Sequence, residues 1–156
     1  MDTYEGAVKT ATLPTKRPVA TEPLRFGIDI DGTISQAPHH FRRLIDALLA
    51  RRNEVYIITG RTERMRRETE ELLKNLGIKY TSLVMRRENP RGTVAQYKVQ
   101  MVQKFGIHMM IDDSAEICWA VEEQTPALAA HMLPIPEMPE ALAAKTRLRR
   151  AKRPER

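Results

Sequence analysis

The sequence predicts a Rossmann-like α/β protein, in which two layers of helices enclose a mainly parallel five-stranded sheet in a three-layer α/β/α arrangement without a cap domain. Three observations favour this class. Short apolar runs alternate with segments of helical periodicity between residues 24 and 133, and such alternation builds parallel βαβ units. Polar residues follow the ends of these runs, where ligands bind in open parallel sheets. The length of 156 residues fits one domain of this kind.

The first strand is predicted at Leu24–Ile30, where acidic residues alternate with apolar ones at the end of the run. Val55–Thr59 is the second strand, and it is short and continuously apolar, as parallel strands buried on both faces tend to be. Between them, Pro38 opens the first helix. The apolar residues of this helix recur at the spacing of one helical face, and they are Phe41, Leu44, Ile45, Leu48 and Leu49.

The second half of the domain continues the alternation. A helix is predicted over about Thr62–Leu76, with Met65 and Leu73 among its inward residues. Gly77 follows it, where a left-handed residue would end a helix. The other predicted elements are a strand at Ser82–Met85, a helix at about Thr93–Phe105, a strand at Ile107–Ile111, a helix through Ile117 and Val121, and a strand within Pro126–Leu133, with Cys118 and Trp119 packed in or at the edge of the core.

The positive charge of the chain is concentrated at its C-terminal end. Residues 137–156 contain seven Lys or Arg and three Glu, so they supply +4 of the formal net charge of +6. We expect a basic tail there, partly helical or disordered, which either contacts polyanions or only keeps the protein in solution. Residues 1–23 carry few large apolar groups and are expected to form a flexible leader. The folded domain is then expected at residues 24–136.

Cysteine content and hydropathy bear on the compartment. The single cysteine, Cys118, excludes an internal disulfide and suits a reducing environment. No apolar run reaches the roughly 18 residues of a membrane span, and no signal-peptide pattern is present. We therefore expect a cytoplasmic protein without a membrane partner.

Charged and hydroxyl residues follow four of the predicted strands. Because the carboxyl ends of parallel strands meet at one edge of the sheet, we expect these side chains to lie close together. Carboxylate oxygens suit Mg²⁺, while a hydroxyl, backbone N–H groups and a Lys suit a phosphate. The residues are Asp29 and Asp31 after the first strand, Thr59, Gly60 and Arg61 after the second, Arg86 and Arg87 after the third with Lys98 on the next helix, and Asp112 and Asp113 after the fourth.

This ordered set resembles the four motifs of the haloacid dehalogenase (HAD) superfamily of phosphohydrolases, over roughly residues 24–121. Residues 29–33, Asp-Ile-Asp-Gly-Thr, match the D-x-D-G-T of the first motif. Thr59 matches the Ser or Thr of the second motif, and Lys98 matches the basic residue of the third. Asp112 and Asp113 match the acidic pair of the fourth. Four motifs in order, each at its expected strand or helix, are hard to obtain by chance.

The resemblance implies a magnesium-dependent phosphatase. Asp29 would attack phosphorus and form an aspartyl-phosphate, and Asp31 would protonate the leaving oxygen and then activate water. Mg²⁺ would be held by Asp29, by the backbone carbonyl of Asp31 and by Asp112. Asp113 is a second-ranked metal ligand, but with Glu116 three positions later it also matches a helix N-cap pattern.

Phosphate binding is assigned by the same resemblance to Thr59, Gly60 and Lys98, which would hold the phosphoryl oxygens while charge redistributes. Each of these residues also has a simpler structural alternative. Thr59 and Gly60 suit the end of a strand, and Lys98 suits a solvated helix face. The Asp31–Gly32 dipeptide is common in turns. The complete set favours the functional interpretation over these alternatives.

The gaps in which this superfamily inserts cap domains are short. One helix fits between Thr33 and the second strand, and about eight residues separate the third strand from the helix of Lys98. An uncapped site is open, which favours a large substrate or a lid from another subunit, so an oligomer formed through this face is a candidate. The arginines around it suit either phosphate oxygens or a solvated rim, and they are Arg61, Arg64, Arg86, Arg87 and Arg91.

The arrangement is similar to the phosphatase domain of bacteriophage-type polynucleotide kinase–phosphatases, where Ser-Gly-Arg stands in place of residues 59–61. The phosphate-binding signature G-x-x-x-x-G-K-[ST] occurs nowhere, so a kinase half is not expected. Three functions remain as hypotheses: removal of 3′-phosphates from nucleic-acid ends, hydrolysis of small esters such as nucleoside monophosphates, and nucleic-acid binding without catalysis. The intact set of acidic, hydroxyl and lysine residues favours the two enzymatic functions.

Overall fold

The computed structural model describes residues 22–133, in which helices cover both faces of a five-stranded sheet. The predicted tail and residues 1–21 of the predicted leader lie outside these residues, so both assignments stay predictions. The elements are β1 (Arg25–Ile28), α1 (Pro38–Ala50), β2 (Glu54–Thr62), α2 (Arg66–Asn75), β3 (Ser82–Arg86), α3 (Val94–Phe105), β4 (Met109–Asp112), α4 (Ala115–Gln124) and β5 (Leu128–His131).

All strand pairs are parallel, and the strand order is β3-β2-β1-β4-β5. The chain therefore runs outward from β1 to β3 and then crosses to the other side of β1 to form β4. This reversal creates a crevice at the carboxyl ends of β1 and β4, where ligands bind in such sheets. The predicted fold class is confirmed, and within residues 22–133 no cap domain interrupts the alternation.

The core has two halves, one on each face of the sheet. Ile57 packs with the cluster under α1 and α2, and the adjacent Ile58 packs with the cluster under α3 and α4. Successive side chains of a strand point to opposite faces, so β2 needs apolar residues at consecutive positions. This requirement explains the continuous apolar run in its sequence. None of the helices described has both the length and the apolar character needed to cross a membrane.

Several local predictions were wrong. β1 ends at Ile28 instead of Ile30, because the chain leaves the sheet into a tight π-type turn at Ile30–Ile34. α2 begins at Arg66 instead of Thr62, because β2 continues to Thr62 and a 3₁₀ turn at Glu63–Met65 follows.

Three apolar residues are more exposed than predicted. Met65, which was expected to face inward, lies in the 3₁₀ turn and is 38% exposed. Leu44 was assigned to the inner face of α1 and is 41% exposed. Trp119 is 65% exposed, because Ile117, Ala120 and Val121 form the inner face of α4. Cys118 is buried, as expected.

Candidate active site

Asp29 is the first residue after β1 and lies at the point where the strand order reverses. Its backbone N–H donates to the carbonyl oxygen of Ile111 in β4 at 3.0 Å, and its side chain is buried, with 4% of the residue exposed. Gly32, at φ 78°, then turns the chain, and its N–H donates to Ser35 Oγ at 3.0 Å. The alternation of acidic and apolar residues predicts that Asp29 and Asp31 share one strand face, because strand side chains repeat every second residue. This prediction is wrong, because β1 ends at Ile28 and neither Asp lies in the strand; Asp31 is exposed. Both residues nevertheless line the same cleft.

A buried ionic centre joins the ends of β1 and β4 to α3. Lys98 Nζ donates to Asp29 Oδ1 at 2.7 Å and to Asp112 Oδ2 at 2.6 Å. Lys98 is 2% exposed and Asp112 is 1% exposed. Burying a charge without a partner is costly, so these three groups depend on one another. The alternative that Lys98 lies on a solvated helix face is thereby excluded.

Burial changes the acidity of the Asp29 carboxyl. Loss of solvation is the largest cause that raises the pKa of its carboxyl, the neighbouring Asp112 carboxylate adds to it, and the net pKa is about 6. The charge of Lys98 and its hydrogen bond oppose this shift without cancelling it. The positive charge of Lys98 therefore does not fully compensate for the solvation that the Asp29 carboxylate loses on burial.

Three carboxylates meet at this edge of the sheet. Asp29, Asp112 and Asp113 each offer an oxygen atom within 4.8 Å of the other two, and Asp113 is the exposed member. When all three are ionised, they exceed the single charge of Lys98 by two. A divalent cation with a preference for oxygen ligands matches both that charge and this donor chemistry. These residues could therefore hold a metal ion.

Asp113 is not the N-cap of α4. Ser114 takes that position, and its Oγ accepts a hydrogen bond from the Ile117 N–H at 3.4 Å. The Ser114 N–H in turn donates to Asp112 Oδ1 at 2.9 Å. The Asp113 carboxylate instead lies against Gly32, where a Cβ atom would overlap it. Glycine is thus required there both by the contact with Asp113 and by its positive φ.

His131 lies next to this site but was not among the site residues predicted from the sequence. It is the register partner of Asp112 at the end of β5, and its ring Nε2 lies 3.0 Å from the backbone oxygen of Asp113. The rule that identified the other site residues, position at the carboxyl end of a parallel strand, would have found it too.

Asp31 and Arg61 form an ion pair at the mouth of the cleft. Arg61 Nε donates to Asp31 Oδ2 at 2.8 Å and Nη2 donates to Oδ1 at 2.6 Å. The hydrogen bonds and charge of Arg61 lower the pKa of Asp31. Arg61 also donates to Thr69 Oγ1 at 3.3 Å, a contact that the sequence did not predict. The Asp31 side chain lies outside the carboxylate cluster; the ligand atom predicted for it is its backbone carbonyl oxygen.

Thr59 and Gly60 lie at an irregularity of β2, where the register with β3 shifts between Ile58 and Thr62. Thr59 is therefore within the strand and not at its end, and its Oγ1 accepts from the Arg61 N–H at 3.3 Å. It is fully buried and does not line the cleft. Gly60 does line it, and a Cβ atom there would lie 3.1 Å from Val94 Cγ1. Such an irregularity changes the direction of side chains near a site.

The structure separates the remaining two predicted site residues from this cleft. The cleft has a volume of about 370 Å³ and is lined by neither Arg86 nor Arg87. Both line a second cavity, of about 490 Å³, beside β3. There, Arg86 Nη2 donates to the Gly92 carbonyl at 3.0 Å, and its guanidinium stacks on the Tyr97 ring at 5.7 Å.

The similarity of this chain to known proteins lies in its structure. No protein-family model and no curated protein sequence matches it. A chain in the structure of the Pnkp1/Rnl/Hen1 RNA repair complex aligns with a TM-score of 0.64 over 81% of this chain at 18% identity. A chain in a further structure of the Pnkp1/Rnl/Hen1 complex aligns with a TM-score of 0.59 over 83% of this chain at 19% identity. The chain spans about half the length of these neighbours, 48% and 53%.

At these identities the likeness shows the fold alone. The protein is therefore a Rossmann-like α/β protein with a buried carboxylate–lysine centre at the point where strand order reverses. It shares this fold with parts of two chains from RNA repair complexes.

Proposed function

We propose that this protein is a magnesium-dependent phosphomonoesterase of the HAD superfamily, which forms an aspartyl-phosphate and acts on 3′-phosphate ends of nucleic acid. One observation carries the proposal: Lys98 bridges the buried carboxylates of Asp29 and Asp112, with Asp113 close by, at the ligand-binding edge of the sheet. An arrangement that gathers three carboxylates and raises the pKa of one of them is typical of active sites.

The donor set fits Mg²⁺. Side-chain oxygens of Asp29, Asp112 and Asp113 and the backbone carbonyl of Asp31 would hold it, with water as the remaining ligand. When bound, the ion supplies positive charge that screens the phosphoryl oxygens from the attacking carboxylate.

The chemistry assigned to the protein has two steps. An oxygen of Asp29 attacks phosphorus, the bond to the leaving oxygen breaks, and Asp31 donates a proton to that oxygen. Water then attacks the aspartyl-phosphate, Asp31 accepts its proton, and inorganic phosphate leaves. Lys98 neutralises the charge that develops beside Asp29. The backbone at Gly60, which lines the cleft, would complete the phosphate site. Thr59 does not line the cleft, and its Oγ1 would serve the phosphate site by accepting from the backbone N–H of Arg61 and so fixing the backbone around Gly60.

The hydrogen bonds and charge of Arg61 lower the pKa of Asp31, so Asp31 holds a proton less readily while this pair is intact. A phosphate group offers Arg61 an alternative partner for its paired N–H groups, with similar geometry. Substrate would therefore draw Arg61 away from Asp31 and leave Asp31 free for proton transfer. Arg61 then serves as the substrate-binding residue that its position predicts.

Nucleic-acid ends are the favoured substrate for two reasons. The site has no cap domain within residues 22–133, so a long polymer can reach it. The fold is that of chains found in RNA repair complexes. Small phosphate esters such as nucleoside monophosphates are the second candidate, and binding without catalysis is the third. An oligomer formed through the open face, and a cytoplasmic location, stay predictions.

The test measures Mg²⁺-dependent phosphate release from p-nitrophenyl phosphate, a 3′-phosphorylated oligonucleotide and a panel of nucleotides. We expect the oligonucleotide to give the highest kcat/KM, Asp29→Asn to abolish turnover, and Asp46→Asn, a change to an exposed carboxylate paired with Lys79, to leave it unchanged. No release by the wild type would refute the enzymatic function. Equal turnover by Asp29→Asn would refute the nucleophile, and a preference for nucleotides would favour the second candidate.

A further inference from the structure

The second cavity lies beside the edge strand β3, between β3 and α3, and its wall is strongly basic. It has a volume of about 490 Å³, within the range of ligand sites. One carboxylate, Glu63, lines it. Five cations line the same space: Arg66, Arg86, Arg87, Arg91 and Lys104.

Most of this positive charge is not neutralised by the protein. Arg66 pairs with Glu63 at 2.6 Å. Within residues 22–133, the other four cations form no ion pair with a carboxylate. In the same part of the chain, Arg86 Nε and the Tyr97 hydroxyl are buried without a hydrogen-bond partner. Collecting like charges around a recess costs free energy that an anionic ligand would recover.

The cavity adjoins the candidate active site. Arg86 in β3 is the register partner of Thr62 in β2, next to Arg61 of the cleft. α3 contributes to both spaces, since Lys98 lines the cleft while Tyr97 and Lys104 line the cavity. Lys98 and Lys104 are about 9 Å apart along the helix axis, so one extended strand could contact both.

We propose that this cavity binds the sugar–phosphate backbone of the single nucleic-acid strand whose 3′-phosphate occupies the cleft. The assignment rests on the proposed function for the identity of the strand end. Unpaired cations would contact successive phosphates, and the aromatic rings of Tyr97 and Phe105 would border the nucleotides, a combination typical of single-strand binding. Contacts to the backbone carry no sequence information, so binding should depend on strand length and not on base sequence.

Binding is measured by fluorescence anisotropy of a 5′-labelled, 3′-phosphorylated oligonucleotide, as DNA and as RNA, in the Asp29→Asn protein with EDTA, where no turnover occurs. The double variant Arg91→Gln/Lys104→Gln removes two exposed cavity charges. The control is Arg51→Gln, which removes one exposed cation at the C-terminal end of α1, on the opposite face of the sheet.

We expect the double variant to weaken binding about tenfold and to reduce the slope of log K against log salt by about 1.4, the value for two single-strand phosphate contacts. Arg51→Gln should change neither quantity. In the active background, the ratio of kcat/KM for the oligonucleotide to that for p-nitrophenyl phosphate should fall in the double variant.

Two results would refute the proposal that the cavity binds the strand. One is unchanged affinity in the double variant, and the other is an equal weakening per charge removed by Arg51→Gln, which would indicate diffuse charge attraction. If the wild type hydrolyses no phosphate ester, the proposed function fails, while the anisotropy measurement still decides whether the cavity binds a strand.

Discussion

Arg61 holds Asp31 through two hydrogen bonds, from Nε at 2.8 Å and from Nη2 at 2.6 Å. Asp31 follows β1 and Arg61 lies in β2. They are the residues for which we propose proton transfer and substrate binding. In the absence of substrate, Arg61 and Asp31 therefore neutralise each other's charge and serve as each other's hydrogen-bond partners. A phosphate that competes for Arg61 would free Asp31, which couples substrate binding to the availability of the acid.

The ion pair predicts a change in the acidity of Asp31. Arg61→Gln removes the hydrogen bonds and the charge that lower the pKa of Asp31, so we expect this pKa to rise towards its ordinary value. The measurement is an NMR titration of the Asp31 side-chain carboxyl carbon in both proteins. Arg67→Gln, which breaks an exposed pair with Glu71, is the control and should leave the Asp31 titration unchanged. Identical titration of Asp31 in wild type and Arg61→Gln would contradict the pair.

Stability without metal should depend on pH through Asp29. Its pKa is about 6 in the folded protein and lies near 3.8 without burial. Between these values the folded state keeps a proton that the unfolded state has lost, so this residue lowers stability as pH rises. The loss is complete above about pH 6 and is on the order of 3 kcal/mol.

Urea unfolding in EDTA from about pH 4 to about pH 7 tests this sign. Asp29→Asn should become more stable relative to the wild type as pH rises, whereas Asp46→Asn, at an exposed pair, should keep a constant difference. A difference for Asp29→Asn that does not change with pH would refute the raised pKa.

Removing Lys98 should destabilise the protein. Lys98→Met leaves Asp29 and Asp112 buried without a positive partner. Breaking a buried ion pair from one side typically costs about 3–5 kcal/mol, and we expect a loss of this order by urea unfolding in EDTA at neutral pH. Adding Asp29→Asn to Lys98→Met should recover part of this lost stability, because one of the two buried, unpaired negative charges is then removed. Lys79→Met, which breaks an exposed pair with Asp46, should have little effect.

Asp113 should contribute to Mg²⁺ binding and not to the stability of α4. Asp113→Asn removes one of the three clustered carboxylates, and we expect a smaller Mg²⁺-induced increase in Tm and a weaker affinity by calorimetry, with little change in stability without metal. Glu116→Gln, on the exposed first turn of α4, is the control. If Asp113→Asn lowers stability in EDTA as much as Ser114→Ala does, Asp113 has a capping role that the structure does not show.

The sequence predicted the convergence of Asp29, Lys98 and Asp112 because it depends on a general property of the fold. Carboxyl ends of parallel strands meet at one edge, and apolar runs of the right length locate those ends. α3 was placed accurately, since Thr93 forms a capping box with Gln96 and Gly106 ends the helix in a left-handed conformation. Such signals are local and can be recognised along the chain.

Other features depend on distances between residues far apart in sequence. That Arg61 holds Asp31 follows from the packing of the β1 turn against β2. That Arg86 faces a second cavity follows from the edge position of β3 and its contact with Tyr97. Periodicity indicates which face of an element is buried, but not which polar groups meet across the space between elements.

By itself, then, the sequence determined the class of fold and the meeting of the acidic residues with Lys98 and Arg61 at one edge of the sheet, since strand ends and helix caps are encoded locally. Only the tertiary structure decided their partners. Asp113 belongs to the carboxylate cluster, because Ser114 and not Asp113 caps α4. Lys98 is buried, because α3 lies over the ends of β1 and β4. Burial and pairing of charge depend on the complete three-dimensional surroundings, because each charge must be matched by groups from other elements.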